Sequence, residues 1–412
     1  MLSTYQLYFA GSSAEISRVP FTRCFFRKRC VVLNIIIYLF PILVNYISGG
    51  MFFNTAYRFS QAQAPELAIT GTMAIWAISY SLASLLVGRI VTEKNAARLI
   101  VFAGGIICLS SLGFVIFPHL YLQYLWAGLT GVGMAIYCTP FQIFMKTLGG
   151  NAASGVVYAT AMYSAAWSLG LACGPFVFGI LKWQTGFCVS AVIAFLMSLG
   201  VFLVEQCRKN SSAVPARAVE NVQRSEEVDY SRFRDYAWLG WVGACIGTMT
   251  ITVIRTLEPK LTLELGVSKF HSGMILSLVS LMQVFWAFVW LRSKVWMYKA
   301  IPALLAGAAG AAGLLLFVKG NTLVALYSAA ALYGSFSGYF YFTLVFYSLV
   351  HPSKSAKYLS INEAVVGIAG IVGAIGGGFL AQQTSLATTF IICAVAVIVM
   401  TIHRVLVLAK KA

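Results

Sequence analysis

The chain has 412 residues, 60% hydrophobic and 10% charged, with a mean hydropathy of +0.84. A soluble chain carries about 25% charged residues, so there are too few charges here to cover a water-facing surface. An ordinary cytosolic or secreted enzyme of two soluble domains is therefore excluded. The net charge of +17, from 29 Lys and Arg against 12 Asp and Glu, reads as basic loops gathered on one side of a membrane. A nucleic-acid partner is not expected.

Residues 1–30 form an N-terminal tail. Arg18, Arg23, Arg27, Lys28 and Arg29 precede the first apolar run. That run is too long and begins too late for a cleavable signal peptide, so an uncleaved cytoplasmic tail against anionic inner-leaflet lipid is expected. Twelve spans follow, near 31–57, 66–90, 98–118, 120–146, 151–181, 184–205, 236–258, 270–292, 300–318, 322–350, 356–383 and 385–408. Each is long enough to cross a hydrocarbon core of about 30 Å at 1.5 Å per residue, and the longer ones require tilt. The runs are continuous, unlike the alternating ten-residue segments of a β-barrel. An all-α membrane protein of twelve transmembrane helices is the expected class.

The stretch 206–235 breaks the apolar pattern. It holds six cations, Pro215 and the acidic Glu226, Glu227 and Asp229, and reads as a cytoplasmic linker. It separates six spans at 31–205 from six at 236–408, and residues 409–412 form a short cytoplasmic tail. With both ends inside, 23 of the Lys and Arg lie inside and six outside: Arg58, Lys182, Arg255, Lys260, Lys269 and Lys319. An internal repeat runs across the linker. An offset of 199 residues lays Ala165 on Ala364, Gly174 on Gly373 and Gly179 on Gly378, each in the fifth span of its half. Two homologous halves related by an axis along the membrane normal are expected.

The nine cysteines lack metal-ligand spacing, and most, such as Cys108, Cys173, Cys245 and Cys393, fall inside apolar runs as small hydrophobes. His119, His271, His351 and His403 make no metal pair. No metal or cofactor is expected.

Gly170-Leu-Ala-Cys-Gly174-Pro175-Phe-Val-Phe-Gly179 in the fifth span resembles the GxxxGPxxGG motif of the major facilitator superfamily of secondary transporters, with Phe178 in the penultimate glycine position. Gly170 and Gly174 lie one turn apart and permit close helix approach, and Pro175 permits a bend. The loop from Gly88 to Arg98 resembles the family's GxLaDRxGRR pattern more weakly. Gly88 matches, but Thr92 stands at the usual aspartate and Asn95 at the second glycine, so the family's cytoplasmic brace is in doubt. The fourth-span RxxxGxG is reduced to Gly131-Val-Gly133, with Ala127 at the arginine position. The resemblance covers about residues 31–408. It implies two pseudo-symmetric six-helix bundles, alternating access, and a central cavity lined by spans 1, 4, 7 and 10.

Embedded charges cost at least about 2.5–3.5 kcal/mol at the bilayer centre, so each is a functional suspect. Glu363, two turns into span eleven beside Asn362, is the proton-coupling candidate. The alternative is a helix N-terminal carboxylate held by the helix dipole at the cytoplasmic gate. Thr248, Thr252 and Arg255 form a stripe in span seven. Arg255 either meets an anionic group of the substrate, pairs with Glu258, or snorkels to the outer interface. Tyr38 and Asn45 in span one, Tyr137 and Gln142 in span four, Gln283 and Trp286 in span eight, and Tyr339 in span ten bring amide, phenol and indole groups among aromatic faces. Such groups suit a neutral or amphipathic organic solute. Gly88, Gly170, Gly174, Pro175, Gly179, Gly370 and Gly373 are assigned to packing and gating.

The expected function is secondary transport of a small organic solute, with protons or another ion as coupling partner. The expected form is a lipid-embedded monomer in the plasma membrane, or the inner membrane of a Gram-negative cell. Multidrug/proton efflux is the alternative, set against the missing arginine. From another class, a non-transporting receptor or assembly protein on the same scaffold remains open. A membrane-embedded enzyme would need a His, Asp and Cys cluster at one depth, and the sequence presents none.

Overall fold

A computed structural model describes residues 22–92, 94–147, 156–210, 235–293, 296, 298–350 and 354–409. Side chains at 22–38, 142–147, 156, 159, 207–210, 355–356 and 359–360 are outside the description. Twelve helices run in chain order: α1 (Thr22–Gln61), α2 (Glu66–Ile90), α3 (Ala96–Ile116), α4 (Leu122–Thr147), α5 (Val156–Ile180) and α6 (Trp183–Asn210). Then come α7 (Ala237–Glu264), α8 (Lys269–Arg292), α9 (Ala300–Lys319), α10 (Leu323–Leu349), α11 (Ser355–Gln383) and α12 (Leu386–Ala409). Among the described residues, nine helices are long and apolar enough to cross a membrane. A helix satisfies its backbone groups internally, which hydrocarbon demands of any spanning segment.

The connections are tight. Gln63 at φ 52° turns the chain between α1 and α2, and Gly266 at φ 69° turns it between α7 and α8. Ser268 and Thr322 cap α8 and α10, accepting from the backbone N–H groups of His271 and Ala325. Two helices run past their expected ends. α1 begins at Thr22, inside the expected tail. α7 continues through Pro259 to Glu264 because its polar turn is bonded within the protein. The Ser272 hydroxyl donates to Glu258 Oε2 at 3.0 Å, and the Thr262 hydroxyl donates to Ser272 Oγ at 3.0 Å. The expected linker 206–235 falls outside the described residues at 211–234. Its first residues extend α6, and Asp235 accepts from Lys354 Nζ at 3.2 Å and from the Tyr358 hydroxyl.

The helices pack as two pseudo-symmetric bundles. In the first, α1 lies on α5, α2 and α3 on α4, and α3 on α6. In the second, α7 lies on α11, α8 and α9 on α10, and α9 on α12. Adding six to each helix number converts one set into the other. The bundles meet through α5 on α8 and α2 on α11, which the same operation exchanges.

The repeated glycines sit at equivalent contacts. A Cβ on Gly174 would lie 2.8 Å from the Gly49 carbonyl carbon on α1, and one on Gly373 would lie 2.7 Å from Met249 Cα on α7. Gly179 faces Lys269 and Phe270 of α8, and Gly378 faces Leu67 and Thr70 of α2. One face of each glycine helix therefore binds its own bundle and another face binds the opposite bundle. At Gly174, Gly373 and Gly378 only hydrogen at Cα allows that approach, whereas a Cβ on Gly179 would meet α8 at the ordinary distance of 3.4 Å.

Candidate functional site

The inter-bundle interface gathers the polar side chains that a wholly packed helical protein would lack. At the end of the bundle where α2 begins, Lys260 Nζ on α7 meets Glu66 Oε1 on α2 at 2.5 Å. Nearby, Lys269 Nζ donates to the Leu181 carbonyl at 3.1 Å and lies over the Tyr57 ring. Along α5 and α8, Ser277 Oγ donates to the Ala172 carbonyl at 2.7 Å and Ser168 Oγ donates to Gln283 Oε1 at 2.7 Å. Gly273 presses on Pro175, where an added Cβ would lie 3.2 Å from the proline carbonyl carbon.

Arg255 sits where four helices converge. With Phe52 and Phe53 of α1, Leu171 and Pro175 of α5, and Leu276 of α8, it lines a cavity of about 10 Å³, close to the minimum for one water. Its Nη2 is buried and has no hydrogen-bond partner among the described residues. Glu258 stands three residues further along α7, a spacing that often pairs side chains. Its carboxylate instead turns to Ser272, and no Arg255–Glu258 pair forms among the described residues. The pairing alternative for Arg255 is thereby removed.

An aromatic track leads from this cavity. The Phe52 ring meets Trp76 edge-on at 4.9 Å, and Trp76 stacks on Tyr80 at 5.2 Å. The Tyr80 hydroxyl donates to Glu363 Oε2 at 3.1 Å across the α2–α11 seam. Glu363 lies in the third turn of α11, which starts at Ser355. It is thus beyond the free N–H groups of the helix start, and its observed partner is Tyr80. The track joins Arg255 to Glu363 along the surface where the bundles touch.

Other expected site residues sit elsewhere. Gln283 bridges the bundles, accepting from Ser168 and donating to Ser337 Oγ at 2.5 Å. Trp286 stacks on Trp290 at 5.0 Å, and its indole N–H is buried without a hydrogen-bond partner among the described residues. Tyr339 lies under the buried Arg404 guanidinium at 4.9 Å, inside the second bundle. Asn362 is also inside that bundle, accepting from Trp241 Nε1 at 2.8 Å and Ser348 Oγ at 2.9 Å. Tyr137 lines a separate small cavity inside the first bundle, between α1, α3, α4 and α6. Asn45 donates to the Pro41 carbonyl at 2.8 Å and packs beside Gly170. The side chains of Tyr38 and Gln142 fall outside the described residues.

Among the packing residues, Gly170, Gly174, Pro175 and Gly373 make close approaches, and Gly179 and Gly370 meet their neighbours, Lys269 and Ala77, at ordinary distance. A side chain at Gly88 would meet open space. Thr92 and Asn95 bond to each other, with Asn95 Oδ1 accepting the Thr92 N–H at 2.7 Å and Asn95 Nδ2 donating to the Ile90 carbonyl at 2.8 Å.

Sequence reasoning missed Tyr80, the Glu258–Ser272 bond and the Lys260–Glu66 pair. Tyr80 was hidden because its partner is 283 residues away. The Glu258–Ser272 bond had a legible signal in the hydroxyls of Thr256 and Thr262 that flank Glu258 in the sequence.

Two six-helix bundles exchanged by a pseudo-twofold, each spanning a membrane repeatedly, define a multi-pass integral membrane protein of transporter architecture. The crystal structure of the nucleoside transporter NupG matches at TM-score 0.67 and 12% identity, covering 92% of this chain and all of that one. A bacterial homologue of the human lysosomal transporter Spinster, inward-facing and occupied, matches at 0.63 and 13% identity, covering 93% and 97% of the two chains. No curated protein matches the chain in sequence. The sequence model of the Major Facilitator Superfamily matches residues 156–351. That match covers just under half of the chain, and the two solved transporters share its fold over more than nine-tenths of it.

Proposed function

We propose that this transporter carries a small organic solute between bundles that rock about their shared interface. The observation that carries this reading is the track from Arg255 through Phe52, Trp76 and Tyr80 to Glu363, at the surface where α1 and α2 meet α7 and α11. Aromatic faces supply contact area to an organic body, and the unpartnered polar groups supply orientation. Contacts at the Glu66 end, the Lys260–Glu66 pair and the Lys269–Leu181 bond, hold the bundles together there and must break for that end to open.

Glu363 is the proposed proton carrier, with Tyr80 as its partner. The termini and the linker 206–235 face the cytoplasm, and the protein resides in the plasma membrane or its bacterial inner-membrane equivalent. The charge distribution of the loops supports that orientation. A protease site inserted in 206–235 tests it: cleavage is expected in inside-out vesicles, and cleavage only in right-side-out vesicles refutes it.

The transport reading is tested by thermal unfolding of the purified chain against sugars, amino acids, nucleosides, organic anions and drugs, followed by counterflow in proteoliposomes. A true ligand raises stability by RT ln(1 + [L]/Kd). No melting shift and no counterflow from any solute refutes the reading.

A further inference from the structure

We infer that the transported solute carries a single negative charge of the carboxylate type, received by Arg255 with Thr252 and Thr248. This rests on the transport reading above and names the substrate class of that same site.

Three observations point to an anion. First, Arg255 Nη2 is buried without a hydrogen-bond partner among the described residues. Glu258 Oε2 is taken by Ser272 and the Tyr333 hydroxyl by Thr250 at 2.7 Å, while Glu258 Oε1 is buried and likewise unpartnered. Leaving that buried guanidinium nitrogen unpartnered is unfavourable unless an acceptor arrives at some stage of the cycle. Second, the threonines of α7 divide into two sets. The hydroxyls of Thr250, Thr256 and Thr262 donate to carbonyls four residues back, at 2.9, 2.8 and 2.9 Å. Those of Thr248 and Thr252 are equally buried and make no hydrogen bond among the described residues. Back-bonding is the usual recourse of a helical threonine, so the two exceptions are donors left available. They share one helix face with Arg255, at the four- and three-residue steps that align side chains. Third, Arg255, at the end of that face, lines the cavity shared with α1 and α5 of the opposite bundle and with α8.

Charge counting selects the class. One guanidinium balances one negative charge, and its planar fork matches the two oxygens of a carboxylate. A phosphate monoester would leave a second charge unbalanced. The rest of the cavity wall is Gly49, Phe52, Phe53, Leu171, Pro175, Leu276 and one hydroxyl residue, Ser280, which fits a mainly apolar body behind the anionic head. With the bundles closed, the cavity is about 10 Å³. The site therefore admits solute only as α1 and α5 separate from α7 and α8.

The test uses the purified full chain and a series of aryl and alkyl monocarboxylates, each matched with its amide and its phosphate monoester. Melting shifts are measured for wild type, R255Q, R255K and T252V. Carboxylates should stabilise wild type, and the matched amides should not. R255Q should weaken the carboxylate by about tenfold or more, as expected for loss of a charge-assisted hydrogen bond. R255K should lie between the two, keeping charge without the fork. If R255Q does not fold, R255K and T252V carry the same comparison.

The inference is overturned if amides stabilise as well as their acids, or if carboxylate affinity survives these substitutions. Phosphate monoesters that outperform carboxylates also overturn it. A response to neutral solutes alone sinks this inference while leaving the transport reading standing. Silence from solutes of every charge sinks both.

Discussion

Replacing Gly174 by alanine adds one carbon at a tight backbone contact between α5 and α1. The new Cβ would sit 2.8 Å from the Gly49 carbonyl carbon, with Gly50 N and Tyr46 O closer still. Contacts of this kind become ordinary only at 3.4 Å, so α1 must retreat by about 0.6 Å or more. All three obstructing atoms are backbone, so no side-chain rotation relieves the clash. Overpacking of this sort costs typically about 1–3 kcal/mol, and the better helix propensity of alanine offsets about 1 kcal/mol. A net loss of up to about 2 kcal/mol is expected for Gly174→Ala, and more for Gly174→Leu. Gly88 is the internal control: a Cβ there meets nothing within 4 Å, so Gly88→Ala should gain about 0.5–1 kcal/mol through the unfolded state. Thermal unfolding of the purified variants gives both signs. Flux at matched membrane abundance should fall for Gly174→Leu, because α5 also presses Pro175 on Gly273 of α8 and transmits the displacement to the interface. Equal stability changes at Gly88 and Gly174, or normal flux in Gly174→Leu, would refute this account.

Glu363→Gln should abolish pH-driven accumulation and leave counterflow at equal pH intact, since glutamine mimics the protonated acid in size and can still accept from Tyr80. Paired uptake and counterflow in proteoliposomes decide it, and unchanged pH-driven uptake would remove Glu363 as proton carrier. Lys260→Glu should favour opening at the Glu66 end, read as faster labelling of a cysteine placed in that seam. The pair is partly exposed, so the effect should be about 1 kcal/mol or less. The double exchange Lys260→Glu with Glu66→Lys should restore wild-type labelling, and failure to restore it would show that the pair is not a lock.

The sequence by itself determined the class and the symmetry. Hydropathy alone draws twelve spans, because a bilayer accepts only segments that satisfy their own backbone. The 199-residue offset also located Gly174 and Gly373 at positions that prove equivalent in packing, since a glycine is retained where another backbone must come close. Arg255, Thr248 and Thr252 were legible as a stripe because helical periodicity is a local property. Tertiary structure decided which of these groups are left without partners. Glu258 is three residues from Arg255 in sequence, yet its carboxylate turns toward α8. Glu363 reads from sequence as a proton carrier or a helix-end group, and the packing places its carboxylate against Tyr80 on the opposite bundle. Asn45, Tyr137 and Asn362 had the right chemistry for a binding site, but their helices direct them into bundle interiors. Periodicity fixes which residues share a face. Only the packing of twelve helices fixes what that face meets, because the contacts join residues as much as 283 positions apart.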